Sequence, residues 1–93
     1  SEGPRNALGV YKAEIEVRDS ATGNWLRKAS TMFPDHWSRA QVMDEIQAVV
    51  GSPAASRLRS GVNTIIEGVS PSGVTIRAYM TPGGLIDSAH PVL

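Results

Sequence analysis

The stretch WLRKASTMFPDHWSRAQVMDEIQAVVG, Trp25 to Gly51, changes its period half-way along, and that change decides the fold class. From Trp25 to Met32 the positions sort by twos. Trp25, Ala29, Thr31 and then Phe33 share one parity, and Leu26, Lys28, Ser30 and Met32 share the other, which is strand spacing. Phe33-Pro34-Asp35-His36-Trp37 breaks the strand. Ser38, with Gln41 three residues on, is the start of a capping box. Val42, Ile46, Val49 and Val50 then recur as one helical stripe, with Asp44, Glu45 and Gln47 largely outside it. Gly51 suits a left-handed position at a helix C-terminus, and Pro53 prevents continuation. The spacing predicts a helix over Arg39–Val50.

Working outward, Val10–Val17 alternates Tyr11, Ala13, Ile15 and Val17 against Lys12, Glu14 and Glu16, a half-buried strand by its pattern. Asp19 to Asn24 is turn chemistry, so Trp25–Met32 returns as the second strand of a hairpin. Beyond the helix, Pro53 to Ser60 reads as a polar, basic connection carrying Arg57 and Arg59. Val62–Val69 is predicted as a third strand and Val74–Met80 as a fourth, with Val74, Ile76, Ala78 and Met80 on one face. Thr81-Pro82-Gly83-Gly84 turns into Leu85–His90, and Pro91 is expected to end regular pairing. The order is β-β-α-β-β-β. This predicts an α+β fold in one domain spanning residues 1–93, with residues 1–9 an irregular leader. Its antiparallel β-sheet has one main α-helix packed on one face, and the other face or its rim is open for function.

At 93 residues, with 41% hydrophobic and 19% charged side chains, the chain is globular in composition and its core is expected to be thin. Nine Lys+Arg balance nine Asp+Glu, so the strongly basic signature of a generic nucleic-acid binder is absent, although a locally basic groove is not excluded. No cysteine means no disulfide, thiolate zinc site or cysteine nucleophile. No apolar run approaches the ~20 residues of a membrane helix, so no membrane segment is predicted. Ser1-Glu2-Gly3-Pro4-Arg5-Asn6 has neither an initiator Met nor the order of a signal peptide, and reads as the start of a processed or truncated chain.

Few residues carry chemistry. His36 sits just before the helix and reads as an exposed loop residue. His90 follows Ser88 by two positions, so on a strand a hydroxyl and an imidazole share a face. No carboxylate stands at a spacing that completes a Ser–His–acid triad. Two separated histidines with scattered acids do not form a ligand cluster, so no metal site is predicted. Gly83-Gly84 and Pro71-Ser72-Gly73 are hairpin turns rather than phosphate-cradling loops. Arg27 and Lys28 are adjacent and point to opposite faces, and the plain reading of Lys28 is a solvated strand lysine. Trp25 and Trp37 read as core or hinge packing.

The order of the motifs is more specific than any single residue. Lys28-Ala29-Ser30-Thr31-Met32-Phe33-Pro34-Asp35-His36-Trp37-Ser38, followed by the helix with Val42 and Ile46, resembles the bacterial EndoU nuclease family: a lysine-bearing strand, a Phe-Pro-x-x-Trp-Ser helix start and a helix of this length. The tail resembles it too. Ser72 to Arg77 is a Ser-Gly-Val-Thr-Ile-Arg strand, and after a glycine turn comes Leu85-Ile86-Asp87-Ser88-Ala89-His90-Pro91, where the family typically ends in an aliphatic residue, any residue, Thr or Ser, any residue, Tyr and Pro. The resemblance covers residues 10–93.

It implies a metal-independent or metal-stimulated endoribonuclease with no organic cofactor, often the toxin tip of a large bacterial protein secreted or delivered to act in the cytoplasm of a target cell. In such enzymes the ribose 2′-hydroxyl attacks the adjacent phosphate and leaves a 2′,3′-cyclic phosphate. By position Lys28 matches the family's lysine, Ser88 its substrate-contacting Thr or Ser, and His90 the place of its Tyr; Lys28, Ser88 and His90 are the implied catalytic set, with Thr31 a substrate contact. RNA, tRNA among the candidates, is the implied substrate, and a dedicated immunity protein the implied partner. The family's two catalytic histidines lie upstream of the lysine strand, whereas no histidine precedes Lys28 here. The chain therefore corresponds to the C-terminal part of an EndoU-like domain. The alternative reading is a non-catalytic protein-binding module on the same fold, since zero net charge suits protein recognition as well as RNA recognition.

Overall fold

The computed structural model describes residues 1–93. The chain runs β1 (Tyr11–Arg18), β2 (Trp25–Met32), α1 (Arg39–Val50), β3 (Ser56–Ser60), β4 (Asn63–Val69), β5 (Thr75–Met80) and β6 (Ile86–Pro91). It is an α+β fold in which every strand pairing is antiparallel. The helix ends where the stripe predicts, and Ser38 Oγ accepts from the Gln41 amide at 3.1 Å as the capping box requires.

The strands form two sheets rather than the single one expected: a β1–β2 hairpin, and a four-stranded sheet in the order β3-β4-β5-β6. The extra strand is β3, which occupies the segment read as a basic connection. Its five residues are all exposed, so no apolar alternation marks them. The missed signal is the two-residue turn Gly61–Val62: Gly61 has φ +60° at the first central position, where a tight type II′ hairpin calls for glycine. Arg57, on the helix side of β3, donates to the carbonyls of Val50 and, at 3.3 Å, Ser52. A cation thereby meets the negative end of α1. Gly51, expected to be left-handed, has φ −84°, and its amide bonds instead to Gln47 O at 2.9 Å within a continuing right-handed turn.

The core is small, as the chain length implies. Val10, Ile46, Val49, Ile66, Val74 and Ile76 are its buried centre, with α1 on one face of β4 and β5. Pro91 does not end the pairing; it lies opposite Ile76, fully buried. A bulge between Tyr79 and Met80 leaves Asp87 extra, so Ile86 pairs with Met80 and packs against the core while Ser88 and His90 keep the other face. Glu45, placed outside the helical stripe by the sequence reading, is only 7% exposed. Its carboxylate accepts from the Ser72 amide (2.9 Å) and the Ser72 hydroxyl (3.0 Å), so it clamps the β4–β5 turn to the helix. Burial pushes this carboxyl up, but hydrogen bonds from Ser70 and Ser72 outweigh it and hold it below its ordinary range.

The hairpin behaves differently. Tyr11 and Ala13 are buried, but Ile15 and Val17, expected to be half-buried, are 39% and 44% exposed. Trp25, expected in the core or at a hinge, is 64% exposed. Beyond Ala13 the hairpin extends past the helix and main sheet, and the radius of gyration is 14.4 Å, against about 12 Å for a compact chain of this length. The leader is not wholly irregular: Gly3 donates to Lys12 O at 2.7 Å and Glu14 to Ser1 O at 2.8 Å, so residues 1–3 line the free edge of β1.

Candidate active site

Between β2 and β6 the two sheets meet edge to edge and leave a cleft of about 430 Å³. It is lined by Lys28, Ala29, Ser30 and Thr31 from β2, Tyr79 from β5, and Ser88, Ala89 and His90 from β6. All four residues singled out in the sequence, Lys28, Thr31, Ser88 and His90, are therefore brought together, although sixty positions separate Lys28 from Ser88. Four consecutive β2 residues line the cleft, so it runs along the edge of that strand, and Lys28 and Thr31 both reach it although they have opposite parity. Ser88 and His90 are alternate residues on the sheet face away from α1, and the β2 edge carries Lys28 alongside them. His36 lies exposed in the turn before α1, outside the cleft.

No carboxylate lines the cleft, and Lys28 is exposed with no ion pair of its own. Its one fixed cation among hydroxyls and an imidazole therefore suits an anionic group with polar oxygens around it. Arg27, on the opposite face of β2, approaches Glu14 at 4.0 Å instead. His90 is half-buried, with both ring nitrogens engaged: Nδ1 lies 3.0 Å from Pro91 O, and Nε2 lies 3.4 Å from the Tyr79 hydroxyl. The carbonyl can only accept, so Nδ1–H donates and the neutral ring turns its Nε2 lone pair toward Tyr79. No three His, Asp, Glu or Cys side chains come together elsewhere in the fold, and no helix is long and apolar enough to cross a membrane.

The sequence reading missed Tyr79 and Ser30. Tyr79 was within reach, because it has the parity opposite to Val74, Ile76 and Ala78, but placing it beside Ser88 needs the β5–β6 register, which the bulge sets.

The model of a known family, bacterial EndoU nuclease, matches residues 2–93. The chain belongs to the bacterial EndoU nuclease family. It is also 36% identical over 87 residues to a protein of Bacillus cereus named "Toxin"; the match covers 92% of this chain. The chain spans 15% of the length of that relative. No solved structure matches it.

Within this EndoU chain the Phe33-Pro34-Asp35-His36-Trp37 element has a clear structural role. Phe33 and Trp37 stack with centroids 5.7 Å apart, and the Trp37 amide closes a turn onto Pro34 O at 3.0 Å. Asp35 accepts from Arg5 Nη2 at 2.8 Å and from the Tyr11 hydroxyl at 3.0 Å, with the Arg5 guanidinium 3.7 Å above the Tyr11 ring. The Arg5 hydrogen bond, with that from Tyr11, holds the Asp35 carboxyl below its ordinary range. The element thus ties the leader and the start of β1 to the loop that enters α1.

Proposed function

We propose that this chain is the substrate-binding and charge-stabilising part of an RNA-cleaving toxin domain, and that the β2–β6 cleft holds the scissile phosphate. What supports the reading is the convergence of Lys28, Thr31, Ser88 and His90 in one cleft without carboxylates, in a chain of a nuclease family. Cleavage forms a bond between the ribose 2′-oxygen and phosphorus and breaks the bond from phosphorus to the 5′-oxygen. A base takes the 2′-proton, an acid returns one to the 5′-oxygen, and negative charge builds on the non-bridging oxygens between those events. The Lys28 ammonium neutralises that charge. The Ser88 hydroxyl donates to the phosphate, Thr31 contacts the ribose or base, and His90 Nε2, once released by Tyr79, serves as a proton-transfer group. No histidine precedes Lys28 in these residues, so the second proton-transfer group is assigned to sequence N-terminal to the lysine strand, and this chain to the C-terminal part of the domain. The reading uses no metal for these steps, with Lys28 as the cation, and divalent ions are expected at most to stimulate cleavage.

The relative named "Toxin" supports the reading of a secreted or delivered toxin, and action in the cytoplasm of a target cell is part of the proposal. A producer of such a nuclease needs a dedicated immunity protein, and the open cleft is the surface such a partner would block. The test is cleavage of single-stranded RNA and tRNA by the 93-residue chain and by any longer polypeptide that carries it, with product ends read by mass spectrometry. Cyclic 2′,3′-phosphate ends that disappear in Lys28→Ala, with thermal stability unchanged, are expected. Full cleavage by Lys28→Ala overturns the assignment. Absence of both cleavage and RNA affinity at low salt favours the protein-binding module instead.

A further inference from the structure

We propose that Tyr79 is the positioning residue for His90, holding it in the cleft as the neutral Nδ1–H tautomer with its Nε2 lone pair available to a bound nucleotide. This rests on the reading of the cleft as a nucleotide site. Tyr79 pairs with Ser88 in register, and His90 is the diagonal neighbour one step along β6. The two rings lie 5.9 Å apart, tilted by 33°. At the far side of the imidazole, Pro91 O takes the Nδ1 proton at 3.0 Å. A backbone carbonyl inside a strand cannot turn away, so this contact favours Nδ1–H, and the Tyr79 hydroxyl at the other nitrogen completes the bias. The ring's remaining lone pair then faces the Tyr79 hydroxyl at 3.4 Å. That hydroxyl is a donor here, because neutral Nε2 has no proton to give.

A second neighbour on this face is held by its own partner. Arg77, two residues earlier on the same face of β5 and opposite His90 in register, donates through Nε to Glu67 at 2.7 Å. Glu67 thus holds the guanidinium, and the hydrogen bond of the Tyr79 hydroxyl runs to His90. Donation therefore runs one way, from Tyr79 to His90 and on to Pro91 O. The charged and titratable groups around His90 are Lys28 on β2, Arg77 and Tyr79 on β5, and Glu67 on β4 behind Arg77. The long Tyr79 contact is the loosest link of this chain and the one that faces the cleft. A substrate proton can replace it without disturbing the Pro91 contact. When Nε2 gains that proton, it donates back to the Tyr79 oxygen, and the ring keeps its place.

The experiment is ¹⁵N NMR of the His90 ring in the 93-residue chain, wild type and Tyr79→Phe, with titration of each by the four ribonucleoside 3′-monophosphates. The wild type should show His90 as the Nδ1–H tautomer at neutral pH. Tyr79→Phe keeps the ring that packs, so its thermal melt should be unchanged. Its tautomer should become mixed, its imidazole pH midpoint should move, and affinity for the preferred 3′-monophosphate should fall about three- to tenfold, the loss of one hydrogen bond. A wild-type His90 in the Nε2–H form overturns the proposal, and this needs no variant to fold. So does a folded Tyr79→Phe with the wild-type tautomer and midpoint. If no 3′-monophosphate binds the wild type while Tyr79→Phe still changes the tautomer, the nucleotide reading of the cleft fails and the positioning role stands.

Discussion

β1 and β5 carry the same kind of alternation, yet one is a core strand and the other mostly is not. On β5, Ile76 and Ala78 are completely buried beneath α1. On β1, Tyr11 and Ala13 are covered, but Ile15 and Val17 beyond them face solvent. Period-2 patterning specifies which side chains share a face; whether anything packs on that face depends on where a helix lies. The single helix of this chain packs on β4 and β5 of the four-stranded sheet and leaves the distal half of the hairpin bare. The cleft occupies the seam between these regions, with its hydroxyl and imidazole on the rigid sheet and its lysine on the less supported hairpin.

The difference is largest in the core. Ile76→Ala should cost about 2–5 kcal/mol, since a fully buried aliphatic side chain is lost and the cavity closes only partly. Val17→Ala should stay within about 0.5 kcal/mol. Urea denaturation of both variants decides it; equal losses would mean that the hairpin tip is packed as tightly as the sheet.

A smaller effect comes from close approach inside the packed region. A Cβ added at Gly68 would stand 3.0 Å from Ala55 Cβ and 3.3 Å from Ala55 Cα, next to backbone that leads into β3. Gly68→Ala should therefore destabilise by about 1–3 kcal/mol through overpacking. Gly61→Ala meets open space, and its cost should come from the left-handed backbone alone, φ +60°. If Gly68→Ala is neutral, β3 yields as easily as the hairpin does, and the division of the molecule has to be redrawn.

How far the sequence could be read follows the same division. The helix, its cap and the two strands before it were legible because Ser38, Gln41 and the Val42–Val50 stripe all act locally. Strand β3 was not, because Ser56 to Ser60 is an exposed edge whose lone aliphatic, Leu58, gives no alternation. Glu45 looked like a solvated helix residue, since nothing in the sequence says that the Ser70-Pro71-Ser72 turn folds back over it. Trp25 was misplaced for the converse reason: an aromatic residue suggests burial, but burial needs a partner, and the helix does not reach that far. Lys28, Ser88 and His90 were singled out through the order of the motifs and their family likeness, and the fold brings them to one cleft. Tyr79 required the β5–β6 register, which the bulge at Asp87 sets.

Glu45 sharpens the comparison through pH. Glu45→Gln keeps the shape but removes the charge that Ser70 and Ser72 bond, and should cost about 1–2 kcal/mol at neutral pH. The folded carboxyl titrates below its unfolded value of about 4.3, so its contribution is complete above that value and is lost as pH falls through the lower folded one. Thermal melts should therefore show the gap between wild type and Glu45→Gln closing on acidification from pH 5 to pH 3. A gap that stays constant over that range would mean that the variant is weakened by shape rather than charge.

The smallest effect belongs to the hairpin tip. Trp25→Ser removes the largest exposed aromatic side chain in the chain, 64% exposed and opposite Arg18 in the hairpin register. Its neighbours Leu26 and Val17 are exposed as well, so little apolar contact is lost, and stability should change by no more than about 0.5 kcal/mol. The two tryptophans make the measurement direct. Trp37 is half-buried against Phe33, whereas Trp25 stands in water. Tryptophan emission in the wild type should therefore contain an easily quenched and a shielded population under acrylamide. Trp25→Ser should remove the quenched population and leave the shielded one at its wild-type position. If the variant instead loses the shielded emission or more than about 1 kcal/mol of stability, Trp25 is a packed residue, and the hairpin belongs with the sheet rather than apart from it.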